Sequence, residues 1–156
     1  MLRWLWFSLL IIVLDQVSKQ LIEASFMVYE TVSVLPFFNL TLAYNEGAAF
    51  SFLSDQGGWQ RWFFAIVATG VTVVLVVWLS RLRDEKMLAL SLSLVIGGAV
   101  GNLIDRLVYG YVIDFLDLFY GQYHWPAFNV ADIAISIGVV VLFVDALFGQ
   151  EPRTAG

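Results

Sequence analysis

Two uncharged apolar stretches, separated by a short charged turn, constrain the fold of this chain more than any other feature. They run from Trp62 to Leu79 and from Met87 to Ile104. A bilayer core about 30 Å thick requires roughly 20 mostly apolar helical residues to cross it. In hydrocarbon, a helix satisfies its own backbone hydrogen bonds. The two stretches therefore predict a pair of membrane helices and argue against an ordinary water-soluble domain.

Two further apolar stretches flank this pair, and each contains ionisable residues. The first includes Asp15 and Lys19, and the second includes Asp132 and Asp145. Their lengths still suit a membrane span. We therefore predict an all-α integral membrane protein that forms a single domain over residues 1–156, with spans at about 4–22, 62–79, 87–104 and 131–148.

Composition narrows the possible chemistry. The chain is 60% apolar and only 13% charged, whereas soluble domains carry about 25% charged residues. Its net charge of −5 argues against nucleic acid as a partner and against a polybasic membrane-surface protein, whereas the apolar composition favours membrane lipid as the partner. With no cysteine and one histidine, His124, thiol nucleophiles and thiolate zinc sites are excluded, and a Ser-His-Asp triad is disfavoured. Carboxylates remain, and we expect no cofactor and no metal.

The distribution of basic residues predicts the orientation in the membrane. Arg81, Arg83 and Lys86 lie in the short turn between the two central spans, and four spans put Arg3 and Arg153 on that same side. Cytoplasmic loops are enriched in Lys and Arg. We therefore predict that both termini are cytoplasmic and that two segments, residues 23–58 and 105–130, are external.

The two external segments differ in pattern. The first contains TVSVLPFFNLTLAYN, whose β-branched and partly alternating residues predict two or three short strands. The second contains turn residues Gly110, Gly121 and Pro126 among many aromatics. Aromatic rings are favoured in the headgroup layer. We expect both external segments to lie on the membrane rather than stand clear of it.

Ionisable residues within or near the spans are candidates for function, because each costs at least about 2.5–3.5 kcal/mol in a membrane helix. They converge on the outer side: Asp15, Lys19, Asp105, Arg106, Asp114 and Asp132. Structural explanations remain open for several of them. Asp15 and Lys19 have the spacing of a helix-surface ion pair, and Asn129 with Asp132 resembles a helix N-cap. Asp117 fits a solvated loop acid, and His124 fits a hydrogen-bonded interfacial residue.

Two glycines favour close helix packing near these polar residues. Gly97 and Gly101 have the small-xxx-small spacing that allows membrane helices to approach closely. Plain helix packing accounts for both glycines. Such packing would hold the residues just beyond it, Asn102, Asp105 and Arg106, in a fixed place.

Five ordered motifs identify a family resemblance. LDQVSK (Leu14 to Lys19), NEGAAF (Asn45 to Phe50), GNLIDR (Gly101 to Arg106), VIDF (Val112 to Phe115) and FNVAD (Phe128 to Asp132) resemble the lipoprotein signal peptidases, or signal peptidase II. The resemblance covers residues 14 to about 140. It implies a bacterial inner-membrane aspartic endopeptidase that cleaves diacylglyceryl-modified prolipoproteins before the lipidated cysteine. It also implies a small external β-rich cradle on the periplasmic side, which agrees with the short strands predicted above.

The resemblance also implies roles for individual residues. By position in VIDF and FNVAD, the catalytic aspartates map to Asp114 and Asp132. A supporting and substrate-binding shell of polar residues maps to Asp15, Lys19, Asn45, Asn102, Asp105, Arg106 and Asn129. Two carboxylates suffice for peptide hydrolysis when they share one proton. We expect the protein to act as a monomer with its active site at the outer face.

Three alternative functions fit this sequence less well than an aspartic peptidase. A small four-span proton-coupled transporter or channel component would place ionisable groups near the bilayer midplane, and the two uncharged central spans offer none. A noncatalytic assembly subunit leaves the paired motif acids unexplained. A Ser-Lys peptidase using Ser18 and Lys19 is disfavoured because adjacent helix residues do not face each other.

Overall fold

A computed structural model describes residues 1–47 and 59–148, and its four long helices follow the predicted spans. After a single 3-10 turn at Leu2–Trp4 the helices are α1 (Leu5–Ser25), α2 (Trp59–Arg81), α3 (Lys86–Val108) and α4 (Val130–Phe148). Each of the four is long and apolar enough to cross a membrane. Their outward faces carry many exposed large apolar side chains, as lipid-facing helices require.

Helix α3 is the central helix, because it contacts each of the other three and most of its length is buried. Its glycines allow this close packing. A Cβ atom on Gly97 would lie 2.9 Å from the carbonyl oxygen of Ser8 in α1, and one on Gly101 would lie 2.6 Å from a carboxylate oxygen of Asp15. The Gly97 and Gly101 pair therefore faces α1, whereas the neighbouring Gly98 packs against the start of α4 at Ala131.

The described parts of the two segments between helices form one antiparallel sheet. Its strands are paired in the order β1 (Thr31–Leu35), β2 (Phe38–Asn45), β3 (Val112–Tyr120) and β4 (Tyr123–His124). The register of β2 and β3 pairs Asn45 with Val112 and Ala43 with Asp114. Asn45 and Asp114 are consequently diagonal neighbours on one face, within reach of each other's side chains.

The prediction of four apolar helices with a small sheet is confirmed, whereas the all-α description is not confirmed, because the sheet has four strands and two of them come from the second external segment. Strand β3 begins with four consecutive buried residues, so it lacks the alternation that marks a half-buried strand. Helix α3 also continues to Val108, which places Asp105 and Arg106 in the helix rather than outside it.

Three parts of the sequence predictions lie outside the described residues. They are residues 48–50 of the NEGAAF motif, the rest of that external segment to residue 58, and Arg153.

Candidate active site

A fully buried lysine is the centre of a polar cluster between α1 and α3. Lys19 Nζ lies 2.7 Å from Asp15 Oδ2, 2.7 Å from Asp105 Oδ2 and 2.9 Å from Asn102 Oδ1. Asp15, Lys19 and Asp105 all have 0% exposure, and we call these three residues the charged cluster. Buried charges persist only when they are paired and hydrogen-bonded. The predicted Asp15–Lys19 ion pair is therefore present, and Asp105 extends it to a second helix.

The charged cluster also fixes the elements around it. Asp15 Oδ1 accepts a hydrogen bond from the backbone N–H of Ala131 (2.9 Å), in the first turn of α4. The two oxygens of Asp105 accept hydrogen bonds from Gln16 Nε2 (2.8 Å) and the backbone N–H of Ile113 (3.2 Å). One cluster thus connects α1, α3, β3 and α4 at the same end of the helices.

Asp114 projects from β3 into this end of the bundle and is 2% exposed. Its carboxylate accepts hydrogen bonds from Asn45 Nδ2 (2.9 Å) and Asn129 Nδ2 (2.7 Å). Asn45 is itself oriented, because its Oδ1 accepts the backbone N–H of Gly47 (2.9 Å). The Asp114 carboxyl group is therefore held on both oxygens by side-chain amides.

Asp132 lies in the first turn of α4 and is partly exposed. Its Oδ1 accepts a hydrogen bond from Asn102 Nδ2 (2.8 Å), and its Oδ2 accepts one from the backbone N–H of Asn129 (3.1 Å). In return, Asn129 Oδ1 accepts the backbone N–H of Asp132 (3.0 Å). These reciprocal bonds form a capping box, so Asp132 both caps α4 and remains accessible at the site.

Asn129 joins the two aspartates into one site. Its side chain donates to Asp114 and its backbone N–H donates to Asp132, and it is fully buried. Burial is the main cause that raises the pKa of the Asp114 carboxyl to about 7; the hydrogen bond from Asn45 opposes this shift, and the charge of Asp132 adds to it. The Asp114 carboxyl is therefore partly protonated near neutrality.

Arg106 brings a positive charge to the same end of α3. Its Nη1 donates to the backbone oxygen of Asn102 (3.3 Å), and its guanidinium lies 5.3 Å from the centre of the Phe64 ring. Its charge interacts electrostatically with Asp132 and Asp114. Because Arg106 is partly exposed, its donors are accessible to a bound molecule beside the aspartates.

An apolar cavity of about 370 Å³ opens beside Asp132. Its other lining residues are Leu118, Trp125, Phe128, Ile133, Ser136 and Ile137. Ile133 and Ile137 are also exposed on the outer face of α4, so the cavity connects the carboxylate with the helix surface that lipid would contact. This geometry suits an apolar molecule that approaches from the bilayer.

The nine residues assigned from the motifs are brought together at one end of the bundle through the contacts described above. Sequence reasoning missed Gln16, which donates to Gly101 O (3.2 Å) and Asp105; its place inside the LDQVSK motif was the available signal. Asp117 was wrongly expected to be solvated, since it is buried and accepts Asn39 Nδ2 at 2.8 Å. His124 pairs with Asp117 (2.8 Å) and is half-exposed, which confirms the predicted hydrogen bond, while its position at the membrane interface stays a prediction.

Within the described ranges, no three carboxylate or imidazole side chains are arranged to hold a metal ion. The buried ionisable residues there are Asp15, Lys19, Asp105, Asp114 and Asp117. All five lie at the end of the helices where the sheet forms. Nothing in this arrangement supports the alternative of a proton-coupled transporter. The fold and site define a multi-pass membrane protein whose reactive groups are carboxylates, which is the general form of a membrane aspartic peptidase.

Comparison with known proteins agrees with this class. The chain matches the family described as signal peptidase (SPase) II over residues 7–148, and it belongs to that family. A lipoprotein signal peptidase of Shewanella baltica is 52% identical over 155 residues, covering 98% of this chain and 90% of that protein. One of Photorhabdus laumondii is 49% identical over 154 residues, covering 98% and 92%.

Solved structures show the same fold. A bacterial membrane enzyme determined by the in meso method at 1.9 Å resolution is 30% identical, with a TM-score of 0.83 and 96% of each chain covered. A second such structure, at 2.3 Å resolution, is 28% identical with a TM-score of 0.82, covering all of this chain and 96% of that one.

Proposed function

We propose that this chain removes signal peptides from diacylglyceryl-modified prolipoproteins, cleaving before the lipidated cysteine, and that Asp114 and Asp132 are its catalytic pair. The observation that carries the residue assignment is the double contact of Asn129, which holds one carboxylate with its side chain and the other with its backbone. Membership of the signal peptidase II family supports the reaction and the substrate class.

The two aspartates take different roles because their surroundings differ. Asp114 is buried and its pKa is raised to about 7, so it carries the shared proton and donates it to the oxygen of the scissile carbonyl. Asp132 is more exposed than Asp114, so the attacking water can reach its carboxylate. Asp132 therefore removes a proton from the attacking water.

The reaction then proceeds through a tetrahedral intermediate. The water oxygen bonds to the carbonyl carbon, its proton passes to Asp132, and the carbonyl oxygen takes the proton of Asp114. Collapse of the intermediate breaks the C–N bond, as the proton on Asp132 passes to the leaving amine and Asp114 regains its own. The partly exposed Arg106 is placed to bind a carbonyl of the substrate backbone. Positioning of this kind supplies much of an enzyme's rate enhancement.

The location of the site suits a substrate anchored in lipid. We propose that the termini are cytoplasmic and that the sheet and aspartates face the periplasm, because Arg81, Arg83 and Lys86 lie at the opposite ends of α2 and α3. The cavity beside Asp132 would accept apolar parts of the substrate. Since one chain supplies both aspartates and their donors, we propose that it acts as a monomer in the inner membrane.

The direct test of this function uses the purified full chain in lipid. We expect cleavage of a diacylglyceryl-modified prolipoprotein and none of the unmodified precursor, because recognition includes the lipid at the bilayer surface. Products are measured by mass spectrometry, which also gives the cleaved bond. Equal cleavage of both precursors would contradict the proposed substrate class, and cleavage of neither would contradict the function.

The pH dependence of turnover should report the proton on Asp114. We expect kcat/KM of the native enzyme to fall as the pH rises through about 7, because Asp114 then loses the proton that it must donate. Asn45→Ala removes a hydrogen bond that lowers the pKa of Asp114. The fall of kcat/KM with rising pH, which is the alkaline limb of the pH profile, should therefore move to higher pH in this variant.

Asn39→Ala is the matched control for this pH measurement. Asn39 lies on the same strand as Asn45, but its amide donates to Asp117 (2.8 Å) instead of Asp114. The alkaline limb of the pH profile of Asn39→Ala should therefore match that of the native enzyme. An unmoved or lowered limb in Asn45→Ala would contradict the assignment of the titrating group to Asp114.

A further inference from the structure

Lys19 uses its hydrogen-bonding capacity completely within the site. An ammonium group has three donors and no acceptor. Its three near partners are Asp15 Oδ2, Asp105 Oδ2 and Asn102 Oδ1, at 2.7, 2.7 and 2.9 Å. The two carboxylates account for its charge, whereas the third bond goes to a neutral amide. Pairing of charge therefore explains two of these contacts and leaves the contact with Asn102 to be explained.

The contact with Lys19 determines which way the amide of Asn102 points. Because the ammonium group only donates, the Asn102 atom facing it must be the oxygen. Asn129 Nδ2 also approaches that oxygen, at 3.1 Å. The opposite atom of the amide is then Nδ2, which donates to Asp132 Oδ1 at 2.8 Å. The orientation follows from donor chemistry, independently of how the amide was assigned.

We propose that Lys19 is a positioning residue for the reaction, and that it acts by locking the side-chain amide of Asn102 so that a donor always faces Asp132. A flipped amide would present its oxygen to the Asp132 carboxylate. The two oxygens would repel each other, and the carboxylate would move away from the attacking water. This inference rests on the proposed function, because it takes Asp132 as the general base.

The alternative role of Lys19 is simple neutralisation, and the charged cluster allows the two roles to be separated. Lys19→Met removes the donor but also leaves two buried carboxylates without a cation, which destabilises the fold. Adding Asp105→Asn removes one of these negative charges, so the cluster keeps the net charge of −1 that it has in the native chain. The double variant is therefore charge-balanced but lacks the ammonium donor to Asn102.

The experiment compares Lys19→Met, Asp105→Asn and the double variant in lipid, measuring thermal stability and cleavage kinetics. We expect the double variant to be more stable than Lys19→Met, yet to have a kcat about 100-fold below that of Asp105→Asn, as for a misplaced catalytic group. KM should change little. Recovery of kcat to the Asp105→Asn value would overturn the proposal.

A double-mutant cycle tests whether Lys19 acts through Asn102. In an Asn102→Ala background, Lys19→Met should lower kcat no further, although it should still lower stability. An additive loss of kcat would overturn the proposal. Ser91→Ala is the control for loss of a buried polar contact, because Ser91 Oγ donates to Gly138 O at 2.7 Å between α3 and α4. It should lower stability without lowering kcat.

Asp132→Asn separates this inference from the proposed function. If Asp132→Asn retains turnover, the catalytic pair itself is wrong. If Asp132→Asn is inactive while the charge-balanced variant turns over as fast as Asp105→Asn, the pair stands and the role of Lys19 is wrong.

Discussion

Asp114→Asn and Asp132→Asn should each reduce prolipoprotein cleavage by about 10²–10⁴-fold, the usual contribution of general acid–base catalysis. Asparagine has nearly the same shape as aspartate but cannot exchange the required proton. The double variant should be little slower than either single one, because residues that act as a unit are strongly non-additive. Single-turnover rates on variants of native thermal stability provide the measurement.

Asp117→Asn is the matched control for the catalytic pair. Asp117 lies three residues beyond Asp114 on the same strand and is also buried, but its partners are Asn39 and His124. We expect its cleavage rate to remain near that of the native enzyme. A cap-only role for Asp132 predicts high activity in Asp132→Asn, because asparagine is also a good N-cap; near-native turnover there would falsify the pair.

Gly98→Ala should destabilise the protein by about 1–3 kcal/mol or more, the range for overpacked interiors. The added Cβ would fall on the backbone oxygen of Ala131 and close to the Ile135 side chain, and backbone cannot rotate out of the way. Because Ala131 directly precedes Asp132, displacement of α4 should also lower kcat about 100-fold. Thermal unfolding in detergent and cleavage kinetics measure the two effects.

Gly70→Ala is the corresponding control, since a Cβ on Gly70 in α2 meets nothing within 4 Å. Alanine is the better helix former by about 1 kcal/mol, so this variant should be at least as stable as the native chain and fully active. Equal behaviour of the two alanine variants would show that α3 and α4 are not packed as described.

The helical part of this fold was predicted well from the sequence, because it depends on residues that are close together along the chain. The length of their uncharged apolar stretches predicts that α2 and α3 cross the membrane. The spacing of Asp15 and Lys19 allows an ion pair within one helix. The cap at Asn129 and Asp132 is also a local arrangement. In the last two cases the interacting residues lie within about one helical turn of each other.

The strand β3 and its buried acids were less predictable, because their environment is set by distant residues. Asp117 resembles a loop acid in sequence, yet Asn39 from β2 buries it and donates to it. Likewise, the donor to Asp114 comes from Asn45, on a strand 69 residues away. The periodicity of apolar residues does not indicate such distant partners. The catalytic roles proposed for Asp114 and Asp132 came from the VIDF and FNVAD motifs instead.

The ion pair within α1 has a consequence for how the protein enters the bilayer during synthesis. An isolated charge in a membrane helix costs at least about 2.5–3.5 kcal/mol, but Asp15 and Lys19 neutralise each other within α1. The first helix can therefore insert before α3 supplies Asp105 and Asn102. Asn129 and Asp132 arrive only with the last helix. With Asp132 as the proposed general base, a nascent chain would gain peptidase activity only when its final span is in place.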